Sequence, residues 1–297
     1  MLRDILRFNK QALRDLEEQR IKPDTTLDDY LKAGGYGERF ILHYIVPMGS
    51  AIWSMPMADM LAFPLQSFVR FFKNHGLLSV SNRPQWQVIE GGSSAYIAPL
   101  TASFREKIRL NCPVMRVERD ADGVVIHSHA GSERFDKVVF ACHSDQALHL
   151  LAAPSEAEQS ILGALPYADN EVVLHTDTRL LPQRKLAWAS WNFRLGGPGH
   201  TPAAVTYDMN ILQGIQSDTT FCVSLNQSAA INPFKVLAKY TYAHPQYSLA
   251  AVAAQARRGE LDGQQHTWYC GAYWANGFHE DGVVSALRVA RAFGEHL

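Results

Sequence analysis

Tyr269-Cys270-Gly271-Ala272-Tyr273-Trp274-Ala275-Asn276-Gly277-Phe278-His279-Glu280-Asp281-Gly282-Val283-Val284-Ser285-Ala286 is the stretch that decides the fold. With His266-Thr267-Trp268 before it, its opening is aromatic and β-branched and reads as a strand over 266–270. Its second half starts with Glu280 and Asp281, continues with apolar residues at helical spacing, and reads as a helix over 279–295. Gly271 and Gly277 bound the loop between them and would let the backbone approach a ligand closely. A helix starting near Phe278 aims free N–H groups and a positive dipole end at whatever faces it. That suits a phosphate or an electron-rich ring edge. The same pattern also fits a glycine turn capped by acidic residues with no ligand at all.

Upstream lies a regular block. Trp86-Gln87-Val88-Ile89 reads as a strand, Gly91-Gly92 as a tight turn and 94–110 as a helix. Strands are expected at 114–117, 124–127 and 135–141, with a turn at Gly131. From 171 to 225 the segments are longer, β-rich and punctuated by Gly and Pro, including Leu195-Gly196-Gly197-Pro198-Gly199, and predict an antiparallel sheet. The first 83 residues read as helical. Pro23-Asp24-Thr25-Thr26 starts a short helix that Gly34-Gly35 stops, and 54–76 reads as a helix capped near Ser54 and interrupted at Pro64. Met57, Met60, Phe63, Phe68, Phe71 and Phe72 make it a buried helix or the wall of an apolar cavity.

Composition excludes several classes. At about 150 residues per domain, 297 residues make one large domain or two modest ones. Apolar residues at 47% and aromatic ones at 10% give an ordinary globular core, so the chain is neither disordered nor fibrous. Lys and Arg number 28 against 29 Asp and Glu, which argues against a nucleic-acid partner held by bulk charge. The most apolar stretch, 48–65, is broken by Pro56, Asp59 and Pro64, short of the roughly 20 apolar residues a membrane span needs. Cys112, Cys142, Cys222 and Cys270 form no C-x-x-C pair and read as reduced, mostly buried thiols. MLRDILRFNKQALRDL is charged throughout and has no apolar signal region, so the cytoplasm is the expected compartment. In that helix Leu2, Ile5, Leu6, Leu13 and Leu16 share a face, with Arg3, Arg7, Lys10 and Arg14 interleaved. A surface helix packing one stripe is the main expectation, with a peripheral membrane contact as the other.

The 269–286 run resembles the C-terminal flavin-binding segment of FAD-dependent amine oxidase-like proteins, written loosely a-G-x(5)-G-[FYM]-x-E-[DG]-[GA]-x-x-S. The resemblance continues in WQVIEGGSSAYIAPL (86–100), VVFACHSDQAL (138–148), HTDTRLLPQRKLAWASWNF (175–193) and TYDMNILQG (206–214), in consistent order. It points to bacterial proteins usually named NAD/FAD-binding or flavin-containing amine oxidoreductases. The resemblance implies that Gly277, Phe278, His279 and Glu280, with Gly271 opening the loop, lie beneath the ring carbonyl edge and ribityl chain of FAD. Gly91 and Gly92 match a glycine pair near the cofactor. Val114 matches a valine whose backbone meets the adenine end, and Ala141 and Cys142 match a strand end that passes close by.

Two departures stand out. Many relatives carry an acidic residue after the glycine matching Gly271, where this chain has Ala272. The family also begins with a β-α-β unit carrying G-x-G-x-x-G, whose helix N-terminus cradles the pyrophosphate. No such hexapeptide occurs here: Gly35-Tyr36-Gly37-Glu38-Arg39-Phe40 lacks the last glycine, and Gly197-Pro198-Gly199-His200-Thr201-Pro202 fails too. The resemblance places Met1 well inside the family's chain.

The fold implied is α/β, of the FAD/NAD(P)-binding, two-dinucleotide-binding-domain type, N-terminally truncated, with an α+β substrate domain built on an antiparallel sheet. Residues 1–83 and 151–261 would form the substrate domain, and 84–150 and 262–297 the FAD-binding part. The activity implied is FAD-dependent oxidation of a substrate C–H, in an amine or an apolar, lipid-like small molecule, by hydride transfer to flavin. No catalytic residue and no metal ligand is named, and the oligomeric state stays open. A non-catalytic fragment or a lipid- or membrane-surface binding protein are the alternatives.

Other constellations carry less. His127-Ser128-His129 would put two imidazoles on one strand face, without a further ligand to make a metal site. No H-E-x-x-H, G-x-S-x-G or G-x-x-x-x-G-K-[ST] occurs, which weakens protease, esterase and nucleoside-triphosphatase readings. Trp188, Trp191, Phe193, Tyr207 and Trp274 could line a substrate cage, and Lys185 could handle a proton near a flavin, although core aromatics and an exposed lysine are the ordinary readings.

Overall fold

The structure, a computed structural model, describes residues 1–81, 84–195 and 204–296. The expected glycine-rich turn after Leu195 and the near-match at 197–202 lie outside the described residues. In chain order the helices are α1 (Leu2–Glu17), α2 (Leu27–Ala33), α3 (Glu38–Phe40), α4 (Val46–Trp53), α5 (Met57–Met60), α6 (Leu65–Asn74), α7 (Ile97–Thr101), α8 (Ser144–Leu150), α9 (Glu156–Leu162), α10 (Met209–Gln213), α11 (Leu249–Ala256) and α12 (His279–Ala292). The strands are β1 (Val114–Asp120), β2 (Gly123–Ser128), β3 (Gly131–Phe135), β4 (Val138–Phe140), β5 (Tyr167–His175), β6 (Trp191–Phe193), β7 (Val205–Asp208), β8 (Cys222–Leu225), β9 (Val236–Pro245) and β10 (Thr267–Tyr269). Packing divides the chain into two compact units, Met1–Ala102 with Ala168–His244, and Ser103–Tyr167 with Pro245–Leu297.

The helical part of the first unit is built on aromatic rings. Phe8 of α1 is fully buried, with the rings of Tyr30, Tyr36, Phe40 and Phe68 at 5.7 to 6.4 Å. The buried stripe therefore centres on Phe8, Asn9 and Ala12, and the expected leucine face is corrected: Leu2 and Leu6 are 74% and 57% exposed. A ring cluster buries more apolar area than the shorter leucines would, so it sets the helix rotation. In α2, Asp29 N–H donates to Thr26 Oγ1 and Thr26 N–H to the Asp29 carboxylate, a reciprocal cap.

The single helix expected over 54–76 is two. Ser54 does not start a helix but ends α4, at a left-handed φ of 54°. The unanticipated helical run before it passes through a π turn at Ile41–Ile45, and Pro47 falls in the first turn of α4, where a missing N–H is tolerated. Met60, Phe63, Phe68, Phe71 and Phe72 are all buried, with Trp53 against Phe63 and Phe71 at 4.4 and 4.9 Å. The segment is a core.

The antiparallel sheet expected from the β-rich region is present in the first unit as β6-β7-β8-β5-β9. A buried polar row crosses it. The His175 imidazole meets Ser224 Oγ at 2.8 Å, Ser224 meets Thr206 Oγ1 at 2.7 Å, and Gln227 donates to Thr206 at 3.1 Å. Asp177 N–H donates to His175 Nδ1, which puts the ring proton on Nε2 and makes the imidazole the donor to Ser224. The expected strand at 86–89 is absent: those residues belong to no regular element, are exposed, and pair with no described strand. The helix expected over 94–110 is reduced to α7 and short 3-10 turns at Ser93–Tyr96 and Arg105–Lys107. Few of its apolar side chains are buried, so packing does not supply what short helices need.

The second unit holds an antiparallel sheet, β1-β2-β3, and a parallel pair, β10-β4. The expected strand at 135–141 splits, because Phe135 closes β3 before β4 begins. Its core joins Val117, Val124, Phe140 and Tyr269 to Ile161 and Leu162 of α9 and Ala251 and Ala254 of α11. Division by compactness places boundaries at 102/103, 167/168 and 244/245, beside the expected division into substrate and cofactor parts at 83/84, 150/151 and 261/262. Among the described residues no helix is long and apolar enough to cross a membrane.

Candidate functional site at the ends of two parallel strands

β4 and β10 run in register, Thr267 opposite Val138, Trp268 opposite Val139 and Tyr269 opposite Phe140. Cys270 N–H adds one more rung to Phe140 O at 2.9 Å. The two strands therefore stop side by side, and Ala141-Cys142 and Cys270-Gly271 leave from one edge. In open α/β sheets the carboxyl ends of parallel strands are where ligands bind.

The loop beyond β10 is held atom by atom. Gly271 N–H donates to Ser285 Oγ of α12 at 2.7 Å. Gly271 is extended, and its missing side chain makes room for Tyr273, since a Cβ would overlap that ring. Gly277 has φ +91°, and a Cβ there would meet Tyr247 Oη at 2.7 Å and Pro245 at 3.3 Å. Asp281 accepts from Asn276 N–H at 3.1 Å and Phe278 N–H at 3.0 Å. Gln255 of α11 donates to the carbonyls of Tyr273 and Ala275 at 2.8 and 2.7 Å. Arg258 donates to the carbonyls of Tyr269 and Ser285 at 2.7 and 3.1 Å, with its guanidinium 5.2 Å from the Trp274 ring centre. At the start of α12 the N–H groups of His279, Glu280 and Asp281 have no acceptor among the described residues, and His279 and Glu280 are exposed.

Seven of the residues singled out in the sequence thus belong to this edge and its loop: Ala141, Cys142, Gly271, Gly277, Phe278, His279 and Glu280. Cys142 is half-buried, and burial pushes its thiol pKa up. Val114 opens β1 on the other sheet of this unit and is exposed. Gly91 and Gly92 belong to the first unit, in a turn with φ of +78° and +84°, and a Cβ on Gly92 would touch nothing within 4 Å. Their glycines answer to backbone conformation. Sequence reading missed Gln255 and Arg258, because a side chain that bonds carbonyls of a loop further along leaves no local pattern.

The remaining constellations resolve differently. His127 Nδ1 bonds Ser132 Oγ at 2.7 Å, and His129 falls in the turn after β2, so the expected pair on one strand face does not form. Trp274 is buried in the core of its own unit. In the first unit Trp191 meets Tyr207 edge-on at 5.2 Å, and exposed Lys185 sits 5.7 Å from the Trp188 ring centre. A cleft of about 410 Å³ lies beside Arg119 and Gln265 at the starting end of β10, away from the strand ends. The Arg119 guanidinium is already engaged there by Glu158 and by Ala153 O.

The ends of two parallel strands, with a glycine-bounded loop running on to the start of a helix, are a place where ligands bind in α/β folds. Residues 1–209 match the family described as flavin containing amine oxidoreductase, and the chain belongs to it. No curated protein matches the chain by sequence. Among solved structures it is similar to a CLA-producing fatty acid isomerase from P. acnes, at 13% identity and TM-score 0.67 over 97% of this chain and 74% of that one. Cyclohexylamine oxidase from Brevibacterium oxydans IH-35A matches at 14% identity and TM-score 0.60, over 92% of this chain and 69% of that one. A putrescine oxidase with putrescine bound matches at 12% identity and TM-score 0.67, over 99% and 75%. Likeness at these identities shows a shared fold.

The donor set at the edge fits part of a flavin. Three N–H groups at the start of α12 with no acceptor among the described residues suit carbonyl oxygens of a ring. Glu280 and Asp281 stand beside them, and two carboxylates would repel a phosphate. The edge therefore fits the ring-carbonyl end of FAD and not its pyrophosphate.

Proposed function

We propose that this chain forms the ring-facing and substrate-facing parts of an FAD-dependent oxidoreductase of the amine oxidase type, with a two-dinucleotide-binding-domain cofactor fold. The observation that carries the reading is the loop that leaves the end of β10 beside β4 and runs into the start of α12, whose first N–H groups have no acceptor among the described residues. When bound, the flavin supplies the electron chemistry by accepting hydride from a substrate C–H. The chain's own task is to orient the ring and to keep water from it. His279, Glu280 and Asp281 would present their N–H groups to the ring carbonyls, and Phe278, half-buried before them, would shield that end from solvent.

The substrate proposed is a small amine. Met60, Phe63, Phe68, Phe71 and Phe72 of the 57–72 segment are packed in a core, which supports an amine over a lipid-like substrate. Four free thiols support a reducing compartment such as the cytoplasm. The test is anaerobic mixing of the flavin-loaded protein with aliphatic mono- and diamines, and with an unsaturated fatty acid, while watching the flavin bands. Bleaching by an amine supports the reading. Bleaching by the fatty acid alone moves the substrate class, and no bleaching by either overturns the oxidase reading.

A further inference from the structure

We propose that Gln255 and Arg258 are positioning residues that set the direction of the donors at the flavin edge, an inference that rests on the function proposed above. The evidence is in the peptide planes. The Ala275 carbonyl is bound by Gln255 at 2.7 Å, and the Asn276 N–H of the same peptide donates to Asp281 at 3.1 Å. That peptide is clamped from both sides and cannot flip. The same Gln255 amide holds the Tyr273 carbonyl at 2.8 Å, so one side chain fixes two peptides.

Arg258 fixes the two ends. It holds the carbonyl of Tyr269, the last residue of β10, and that of Ser285 in α12, at 2.7 and 3.1 Å. Strand end and helix are thereby tied to one planar group, which is itself buried at 5% exposure. The Trp274 ring lies 5.2 Å from the guanidinium, and Asp262 balances its charge at 3.5 Å. An arginine desolvated this far is costly unless its geometry is used. The geometry it serves is the offset between β10 and the first turn of α12, which decides where the N–H groups of His279, Glu280 and Asp281 point. Neither Gln255 nor Arg258 belongs to those outward donors, so both act through the loop.

The experiment compares the parent with Gln255→Leu, which keeps the volume and loses both donors, and Arg258→Lys, which keeps the charge and loses the planar fork. Amide hydrogen exchange in the flavin-free protein is read over 272–282, with β8 as the internal reference. Losing two hydrogen bonds predicts about tenfold faster exchange in that segment and none in β8. Riboflavin, which carries the ring without phosphates, is then titrated, and the reduction potential of the bound flavin is measured at saturation. We expect about tenfold weaker binding and a potential shifted to more negative values, because misaimed donors stabilise the reduced, electron-rich ring less. A residue that only supported the fold would lower occupancy and leave the potential of the bound fraction unchanged. Unchanged exchange over 272–282, an equal rise in β8, or a parent-like potential in both variants each overturns the inference. Failure of the parent itself to bind riboflavin overturns the proposed function, and this inference with it. Parent binding with unaffected variants overturns this inference alone.

Discussion

The Tyr247 hydroxyl occupies the space that a side chain on Gly277 would need, 2.7 Å from where a Cβ would be placed. Tyr247 is buried, so the ring has little room to withdraw. The glycine most easily read as a place of close approach to a ligand is therefore also a place of close approach to the protein itself.

It follows that Gly277→Ala destabilises the flavin-free chain, by about 2 kcal/mol from the positive φ and the overpacking together. Tyr247→Phe removes the hydroxyl and should recover about 1 kcal/mol in the double variant. Urea unfolding of the four proteins measures this. Strict additivity of the two substitutions would show that the contact is not what requires glycine.

A second expectation concerns Glu158, buried beside Arg119. Burial alone would raise its pKa, but hydrogen bonds from Arg119, Tyr269 and Ser155 outweigh that and hold it below the ordinary 4.5. A carboxyl depressed in the folded state stabilises above its unfolded pKa and loses that contribution as pH falls below about 4.5. Glu158→Gln should cost about 3–5 kcal/mol at pH 7, because Arg119 is left buried without its counter-charge. Equilibrium unfolding at pH 7 and pH 4 checks both. A variant within 1 kcal/mol of the parent at pH 7, on the scale of an exposed pair, would count against the pair's importance.

His175 supplies a separate pH window. Burial lowers its pKa from the ordinary 6.5, against an opposing pull from Asp177. Its Nδ1 already accepts the Asp177 N–H, so a second ring proton has no place to go without breaking that bond. Below pH 6.5 the unfolded chain gains a proton that the fold excludes. Stability should therefore fall as pH drops from 6.5, by at most about 1.4 kcal/mol per unit for this one group. His175→Gln should flatten that part of the curve. Parallel curves for parent and variant between pH 6.5 and 5 would assign the dependence elsewhere.

A fourth expectation separates ring from phosphate recognition. These residues contain no G-x-G-x-x-G, and the α12 start carries Glu280 and Asp281. FAD and riboflavin should therefore bind this chain with affinities within about threefold of one another, the scale of one helix-dipole interaction. Fluorescence titration of both ligands decides it. FAD binding a hundredfold tighter would reveal a phosphate site formed by other residues.

The last strand, loop and helix were legible because each carries its signal locally: aromatics at 267–269, glycines at 271 and 277, acids at 280 and 281. The antiparallel sheet was legible from its β-rich run over 171–225 for the same reason, although its last strand, β9, lies beyond that run. Ser54 was misread because serine favours helix starts, whereas only the fold reveals that its backbone turns left-handed and stops α4. Trp86 to Ile89 have strand composition, but composition cannot provide a neighbouring strand. Within the site, Gly271 and Gly277 were visible, yet their partners Tyr273, Tyr247 and Ser285 were not assigned. Those contacts depend on where the chain returns in space.

Where the chain leaves and rejoins the second unit, Gln246 N–H donates to Pro166 O at 2.8 Å. The chain departs from the second unit just after Pro166, builds the whole antiparallel sheet of the first, and re-enters beside its own point of departure. A segment with adjoining ends behaves as a cassette. The parallel pair is thus assembled from chain on either side of that excursion, β4 before it and β10 after it, and its register closes a long loop whose ends already adjoin.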